Sequence, residues 1–309
     1  MNKKVSVFVV TYNQEKYIQE CLDGIVNQKV NFEYEVVIGE DCSTDKTLDI
    51  CKMYADKYSQ IKLLPSEKNM GFIKNWERVL NACEGEYIAM CEGDDYWSDI
   101  NKLQKQVDFL DENQEYSVCG GLINHYYEES KTFEALEMPD AALYPKGRDV
   151  TLDNFMYPYI MRTATICFRR KALNGIDRFS KIKDVILFAA LLEQGKGFVF
   201  NQIFSVYRKH NLGEWSKLNE EQKILYDLDS YGELDKHYHS KSKSIREYFL
   251  KRNFDLFFTN YKLYKEKGIK KITVFDLIRF LTFDENVKKY SNKVLIRKYL
   301  GVYRRKMGL

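Results

Sequence analysis

The sequence predicts an α/β protein with a mostly parallel central sheet, helices on its faces, and a helical appendage at the C-terminal end. Three observations predict it. Short apolar, β-branched runs alternate with amphipathic segments from the first residues to about position 91, joined by short connections, the pattern of a βαβαβαβ unit. Those runs are almost continuously apolar, as in Val5 to Val10, which suits strands covered on both faces. From about residue 218 the pattern turns helical and rich in Tyr, Phe and Lys.

The elements follow in order. After the first strand and Thr11-Tyr12-Asn13, the segment Glu15 to Asn27 places Tyr17, Ile18, Cys21, Leu22 and Ile25 at helical spacing. Tyr34 to Ile38 reads as a second strand and Lys46 to Tyr58 as a second helix, with Ser43 or Thr44 as its N-cap. Ile61 to Leu64 is a third strand, Gly71 to Cys83 a third helix and Tyr87 to Cys91 a fourth strand. Further on, Lys102 to Glu112 is a helix, Tyr116 to Gly121 a strand, and 125–160, with three prolines, a long irregular loop. Thr163 to Phe168 suits a strand, Asp184 to Gln194 an apolar-faced helix, and Val199 to Tyr207 one or two short strands.

Composition excludes several classes. At 309 residues with 45% hydrophobic and 30% charged side chains, the chain can bury a sizeable core and is not of the disordered type. Its seven cysteines are odd in number, form no CxxC pair and sit largely in apolar runs, which points to reduced thiols in a cytoplasmic protein. No apolar stretch approaches the roughly 20 residues of a membrane span. No Gly-rich dinucleotide fingerprint follows the first strand and no P-loop is present. The net charge of +3 hides an asymmetry: residues 240–309 hold 19 Lys/Arg against 6 Asp/Glu, so the preceding part is acidic. Missing nucleic-acid motifs and that acidic part argue against nucleic acid as a partner. Lys288, Lys289, Lys293, Arg297, Lys298, Arg304, Arg305 and Lys306 alternate with apolar residues. Such a basic amphipathic stretch is suited to an anionic membrane surface, or is a solvated helical face.

The chemistry concentrates where strands end. Glu92-Gly93-Asp94-Asp95 follows the fourth strand, and Glu40-Asp41 follows the second. Parallel strands bring such ends to one edge, where ligands of open α/β sheets bind. Clustered carboxylates suit Mg²⁺ or Mn²⁺, above all when a substrate phosphate completes the coordination.

Four stretches, SVFVVTYNQEKYIQECLDGI, VVIGEDCSTDKT, EGEYIAMCEGDDYW and VYRKHNLGEWS, resemble those of the family 2 glycosyltransferases, in the family's order and at its usual spacing. The resemblance covers about residues 3–216 and implies the Rossmann-like GT-A fold, with a catalytic domain over 1–217. Its nucleotide-sugar half would span about 1–98 and its acceptor half about 99–217, before a helical, basic region over 218–309. It also implies an inverting, metal-dependent transfer from a nucleotide diphosphate sugar, with uridine before thymidine, to a hydroxyl of a glycan or lipid-linked oligosaccharide in surface polysaccharide biosynthesis. The enzyme would then be cytoplasmic or peripheral on the inner membrane face.

Residue by residue, Thr11, Tyr12 and Asn13 match the family's first-strand motif beside the nucleotide. Asp41 matches the acid that meets the uracil edge, with Glu40 where Asp is usual and Cys42 where Gly or another small residue is common. Glu92, Asp94 and Asp95 match the DxD-type metal motif with Glu in first place, Asp94 or Asp95 reaching the metal and the other the donor. Asp184 matches the family's general base, with Asp177 as its rival. His210 matches a histidine near the diphosphate, and Trp215 the segment that closes over the donor. A sugar-nucleotide-binding protein with a degraded site is the alternative, and a sugar-1-phosphate nucleotidyltransferase, which lacks its Gly-rich loop here, a weaker one.

Overall fold

A computed structural model of the chain describes residues 3–135, 137–138, 141–155, 161–180, 183–211, 213, 216–238, 240–249 and 305. Apart from Arg305, the basic stretch read between Lys288 and Lys306 lies outside the described residues, and so does Trp215. The chain divides into two compact units, Met1–Asn211 and Leu212–Leu309.

The first unit opens with β1 (Val5–Thr11), α1 (Ile18–Val26), β2 (Tyr34–Glu40), α2 (Thr47–Lys57), β3 (Ile61–Leu64), α3 (Phe72–Ala82) and β4 (Tyr87–Met90). It continues through β5 (Tyr96–Trp97), α4 (Lys102–Glu112), β6 (Tyr116–Tyr127), β7 (Thr132–Ala135), β8 (Gly147–Val150), β9 (Cys167–Arg169), α5 (Asp184–Gln194) and β10 (Lys196–Lys209). One sheet takes them all, in the order β3-β2-β1-β4-β9-β6-β10-β5, with β7 on β6 and β8 on β10. The strands β3, β2, β1 and β4 pair in parallel, and so do β6 and β10. Between these halves β9 runs antiparallel to both β4 and β6.

All seven residues of β1 are buried, and alternation sorts them onto two faces. Val5, Val7 and Val9 join Ile18, Cys21, Leu22 and Ile25 of α1, Cys51 and Tyr54 of α2, and Leu103 and Val107 of α4 in one cluster. Phe8 faces the other way and meets Trp76 of α3 at a centroid distance of 5.3 Å. Each fully buried Leu, Ile or Val in such a layer stabilises the fold by about 1.5–3 kcal/mol. Six of the seven cysteines are buried and all are free thiols, Cys42 alone being half-buried.

Several expectations from sequence are corrected. The region read as a loop between 125 and 160 contains the end of β6, the hairpin to β7 and the short β8. Turn signals masked that hairpin, because Lys131 takes the left-handed conformation (φ 55°) where Gly or Asn would announce a turn. The stretch read as a strand from Thr163 begins as a 3-10 turn, Thr163–Thr165, before β9. At α2 neither Ser43 nor Thr44 caps: the Asp45 carboxylate accepts from the Thr47 N–H at 2.9 Å, while the Ser43 hydroxyl accepts from the Asn13 N–H.

In the second unit α6 (Glu220–Tyr238) is followed by a helical segment over 243–249. Tyr231 and Tyr248 pack with centroids 4.5 Å apart. No helix among the described residues is long and apolar enough to cross a membrane.

One core residue makes stability depend on pH. Lys102 is wholly buried, its ammonium 3.9 Å from the Trp97 ring centroid and donating to Gln106 Oε1 at 2.8 Å. Burial pulls its pKa down to about 8. The unfolded chain therefore binds this proton more tightly than the folded one, so stability rises as pH climbs from about 8 towards the unfolded value. Lys102→Met should gain stability over the wild type at pH 7.5 by roughly 2 kcal/mol more than it does at pH 9.5. Urea denaturation of both proteins at the two pH values measures that difference, in which the titrations common to both cancel.

Candidate active site

The parallel pairing of β2, β1 and β4 brings Glu40, Thr11 and the loop after Met90 to one edge of the sheet. The end of β10 arrives there too, because β6 and β10 run parallel to each other and β6 runs parallel to β4 through the antiparallel β9. Backbone bonds fasten the loops to the rim. The Asp41 N–H donates to Thr11 O at 3.1 Å, and the Gly93 N–H to Val10 O at 3.0 Å. The acid-bearing loop thus runs alongside the end of β1. Glycine eases the passage at position 93, since a Cβ there would stand 2.4 Å from Gln14 Oε1 and 2.9 Å from Thr11 Cβ and Oγ1.

On the β1–β2 side, the turn is built from polar groups that satisfy one another. Asn13 takes the left-handed conformation (φ 54°), and its side-chain oxygen accepts from the Thr44 N–H at 2.8 Å. Glu40 is fully buried and turned inward, accepting from the N–H groups of Cys42 and Ser43. Cys42 also has a positive φ of 60°, which explains physically why a small residue or Gly suits that position. Asp41 accepts from the N–H groups of Met70 and Gly71, each at 2.9 Å. Each oxygen keeps a further lone pair. Tyr12 is 43% exposed at this rim, with its ring available to a flat ligand.

On the β4–β10 side stand the acids. Asp94 Oδ2 lies 3.1 Å from His210 Nε2, and that ring packs on Tyr17 at 4.7 Å. Asp95 is buried and accepts from the Arg208 N–H at 2.9 Å. Burial, then the charges of Asp94 and Glu92, holds its carboxyl well above the ordinary carboxylate range. Glu92 is pushed up to about 7, by burial first and then by Asp94 and Asp184, against a hydrogen bond with Thr163. Its Oε2 is buried with no partner. Asp184, at the first turn of α5, is exposed; one of its oxygens accepts from the Val185 N–H at 2.8 Å. Its charge is among those that push Glu92 up. Asp177 sits exposed on a 3-10 turn, Ile176–Arg178.

Two residues of weight here were not singled out from sequence. Arg208 is nearly buried, and its guanidinium donates to the Asp94 carbonyl at 3.1 Å, to Glu128 at 2.9 Å and to Glu20 of α1. Three tyrosine rings surround it, Tyr17, Tyr96 and Tyr126, with centroids at 4.8, 5.5 and 5.3 Å. Tyr207 is the second, its phenol pushed up by burial and then by Asp95, Asp94 and Glu92. Both lie in VYRKHNLGEWS, where the histidine drew attention to itself.

The acids fit a divalent cation in one respect and not in another. Among the described residues no three His, Cys, Asp or Glu side chains form a ready-made cage. Yet three carboxylates crowd one loop, one of them with an unpartnered buried oxygen. A cation that draws its other ligands from substrate phosphates needs only one or two of them.

A family model described as Glycosyl transferase family 2 matches residues 6–176. An uncharacterized protein of Mycobacterium tuberculosis (strain ATCC 25618 / H37Rv) is 33% identical over 230 residues, covering 74% of this chain and 65% of that protein. The chain thus spans under two thirds of the length of that relative. EpsE of Bacillus subtilis (strain 168), named as a glycosyltransferase, is 31% identical over 197 residues, 62% of this chain and 68% of EpsE. The poly(ribitol-phosphate) β-N-acetylglucosaminyltransferase TarS of Staphylococcus aureus (strain MW2) is 41% identical over 114 residues, 36% of this chain and 19% of TarS. The crystal structure of S. aureus TarS 1–349 in complex with UDP-GlcNAc has the same fold: TM-score 0.64, 24% identity, 90% of this chain and 79% of that one.

The Arg208 contacts predict an order of effects. Arg208→Met leaves Glu128 and the Asp94 carbonyl without their donor and should lower stability by about 2–4 kcal/mol. Glu20→Gln, at a half-exposed partner, should cost under about 1 kcal/mol. Thermal unfolding of the two variants checks the order.

Proposed function

The chain belongs to glycosyl transferase family 2, and from that premise we propose that it transfers a sugar from a uridine diphosphate donor to a hydroxyl of a bacterial surface glycan, with inversion. The observation that carries this reading is the meeting of the acid loop, the Thr11–Asp41 rim and the Asp94–His210 pair at one edge of the sheet. The relatives named above as glycosyltransferases support the class of reaction. Donor sugar, acceptor and linkage depend on the whole protein and stay within the proposal.

The reaction has two needs. As the bond to the anomeric carbon breaks, the departing diphosphate gains charge and must be stabilised. Asp94 and Asp95, with Glu92 behind them, are the residues that would hold Mg²⁺ or Mn²⁺, and the cation would neutralise that charge. Asp41 offers an acceptor to the base, and Tyr12 a flat apolar face. His210, buried and fixed by Asp94 and Tyr17, faces the diphosphate end. The incoming hydroxyl must also lose a proton as it attacks. Asp184 is suited to take it, because it is exposed, stands at the start of its own helix apart from the clustered acids, and its charge is felt at Glu92. One base and no covalent intermediate give inversion, by the geometry that holds for inverting glycosidases.

Asp184→Asn keeps the side-chain size and removes the base. UDP release in the presence of an acceptor extract should fall about 10²–10⁴-fold, while UDP affinity stays within about threefold. Full activity in the variant would remove Asp184 from this role and return attention to Asp177.

A further inference from the structure

The end of β10 has two sides. Arg208 and His210 both pack on Tyr17, Arg208 also lying over Tyr126 of β6, whereas Tyr207 and Lys209 turn to the other face, towards His125 and Tyr127. The register pairs Tyr207 with His125 and Lys209 with Tyr127. The His125 and Tyr207 rings stand 5.8 Å apart. The Lys209 ammonium donates to the Tyr127 hydroxyl at 3.0 Å and lies 4.6 Å from that ring's centroid. The Tyr127 hydroxyl donates in turn to Glu134 of β7. This face is polar and aromatic, with Lys209 and the Glu134 carboxylate both on it.

The face also borders the chemistry, since the Arg208 N–H, between Tyr207 and Lys209 in the chain, donates to Asp95 at 2.9 Å. Tyr207 feels the charges of Asp95, Asp94 and Glu92, and that of Arg162. Arg162 immediately precedes Thr163, whose hydroxyl bonds Glu92, and Glu92 feels Asp184. His125 is held below its ordinary value, by burial first and then by the charges of Lys209 and Arg162, against Glu134, whose Oε2 lies 3.7 Å from its Nδ1. His210, on the Tyr17 side, is the group already assigned to the donor's diphosphate. Because residues alternate along a strand, Lys209 shares the face of Tyr207 and not that of Arg208.

Resting on the glycosyltransferase reading, we propose that this face, formed by His125, Tyr127, Tyr207 and Lys209 with Arg162 beside it, is the acceptor subsite. We further propose that it takes a chain bearing anionic groups, phosphodiester or carboxylate. The aromatic rings offer flat surfaces to polyol or sugar carbons. Lys209 and Arg162 meet the charge, and the attacking hydroxyl is left towards Asp184.

The test uses the full chain without nucleotide. A synthetic polyol-phosphate oligomer, an oligouronate and a neutral oligosaccharide of equal length are titrated by calorimetry into wild type, Lys209→Met, Lys209→Arg and Arg162→Met. UDP is titrated separately into each. The proposal expects at least one anionic probe to bind the wild type at least tenfold more tightly than the neutral one. Lys209→Met and Arg162→Met should each lose about tenfold, as for one charge-assisted bond, while Lys209→Arg stays within about threefold and UDP affinity within twofold. Equal binding of charged and neutral probes would overturn it. Weakened UDP binding with unchanged oligomer binding would overturn it as well, since the cations would then serve the donor. The oligomer result stands whether or not the wild type binds UDP, so failure of the donor reading shows up separately.

Discussion

Three carboxylates, Glu92, Asp94 and Asp95, are confined within four residues at the end of β4, and two of them are held above their ordinary pKa by burial and by one another. Like charges so close repel unless something of opposite sign intervenes. The fold supplies part of that compensation from a distance in sequence. Arg208 gives its N–H to Asp95 and its Nε–H to the Asp94 carbonyl, and His210 faces the Asp94 carboxylate. Under the proposed function, a substrate cation and phosphate would supply the rest of the compensation at this edge of the sheet.

The rest of the first unit reads as support for that loop. Parallel pairing along β1 carries the chain past Met90 as far as Gly93, and the lack of a Cβ at Gly93 lets it pass Thr11 and Gln14. Glu40 braces the neighbouring turn from within, through the Cys42 and Ser43 amides. The loop is also pinned from the far side. Arg208 connects it to Glu20 on α1 and to Glu128 beyond β6, so two distant elements share one guanidinium.

Much of this was legible in the sequence where local pattern and tertiary burial agree. The ends of α4 and α5 coincide with the expected Lys102–Glu112 and Asp184–Gln194, because their apolar faces and flanking polar residues point the same way. The long β10 was expected as one or two short strands. It runs from Lys196 to Lys209 with register shifts near Val199 and Ile203, and such irregularities break the alternation that announces a strand. The β6–β7 hairpin escaped notice because Lys131 occupies the position where Gly or Asn is usual. In the site, residue types revealed the acids, since carboxylates clustered after a strand have little structural use. They did not reveal Arg208, whose partners Glu20 and Glu128 are 188 and 80 residues away. Nothing local in a sequence signals a contact of that range.

The most direct test of the central claim is calorimetric titration of UDP into the protein with and without Mn²⁺, in wild type and in Asp94→Asn. If the crowded carboxylates are arranged for a cation shared with a diphosphate, Mn²⁺ should tighten UDP binding in the wild type by at least tenfold, about 1.4 kcal/mol, and the enhancement should vanish in the variant. UDP binding indifferent both to Mn²⁺ and to the loss of the Asp94 charge would contradict the account.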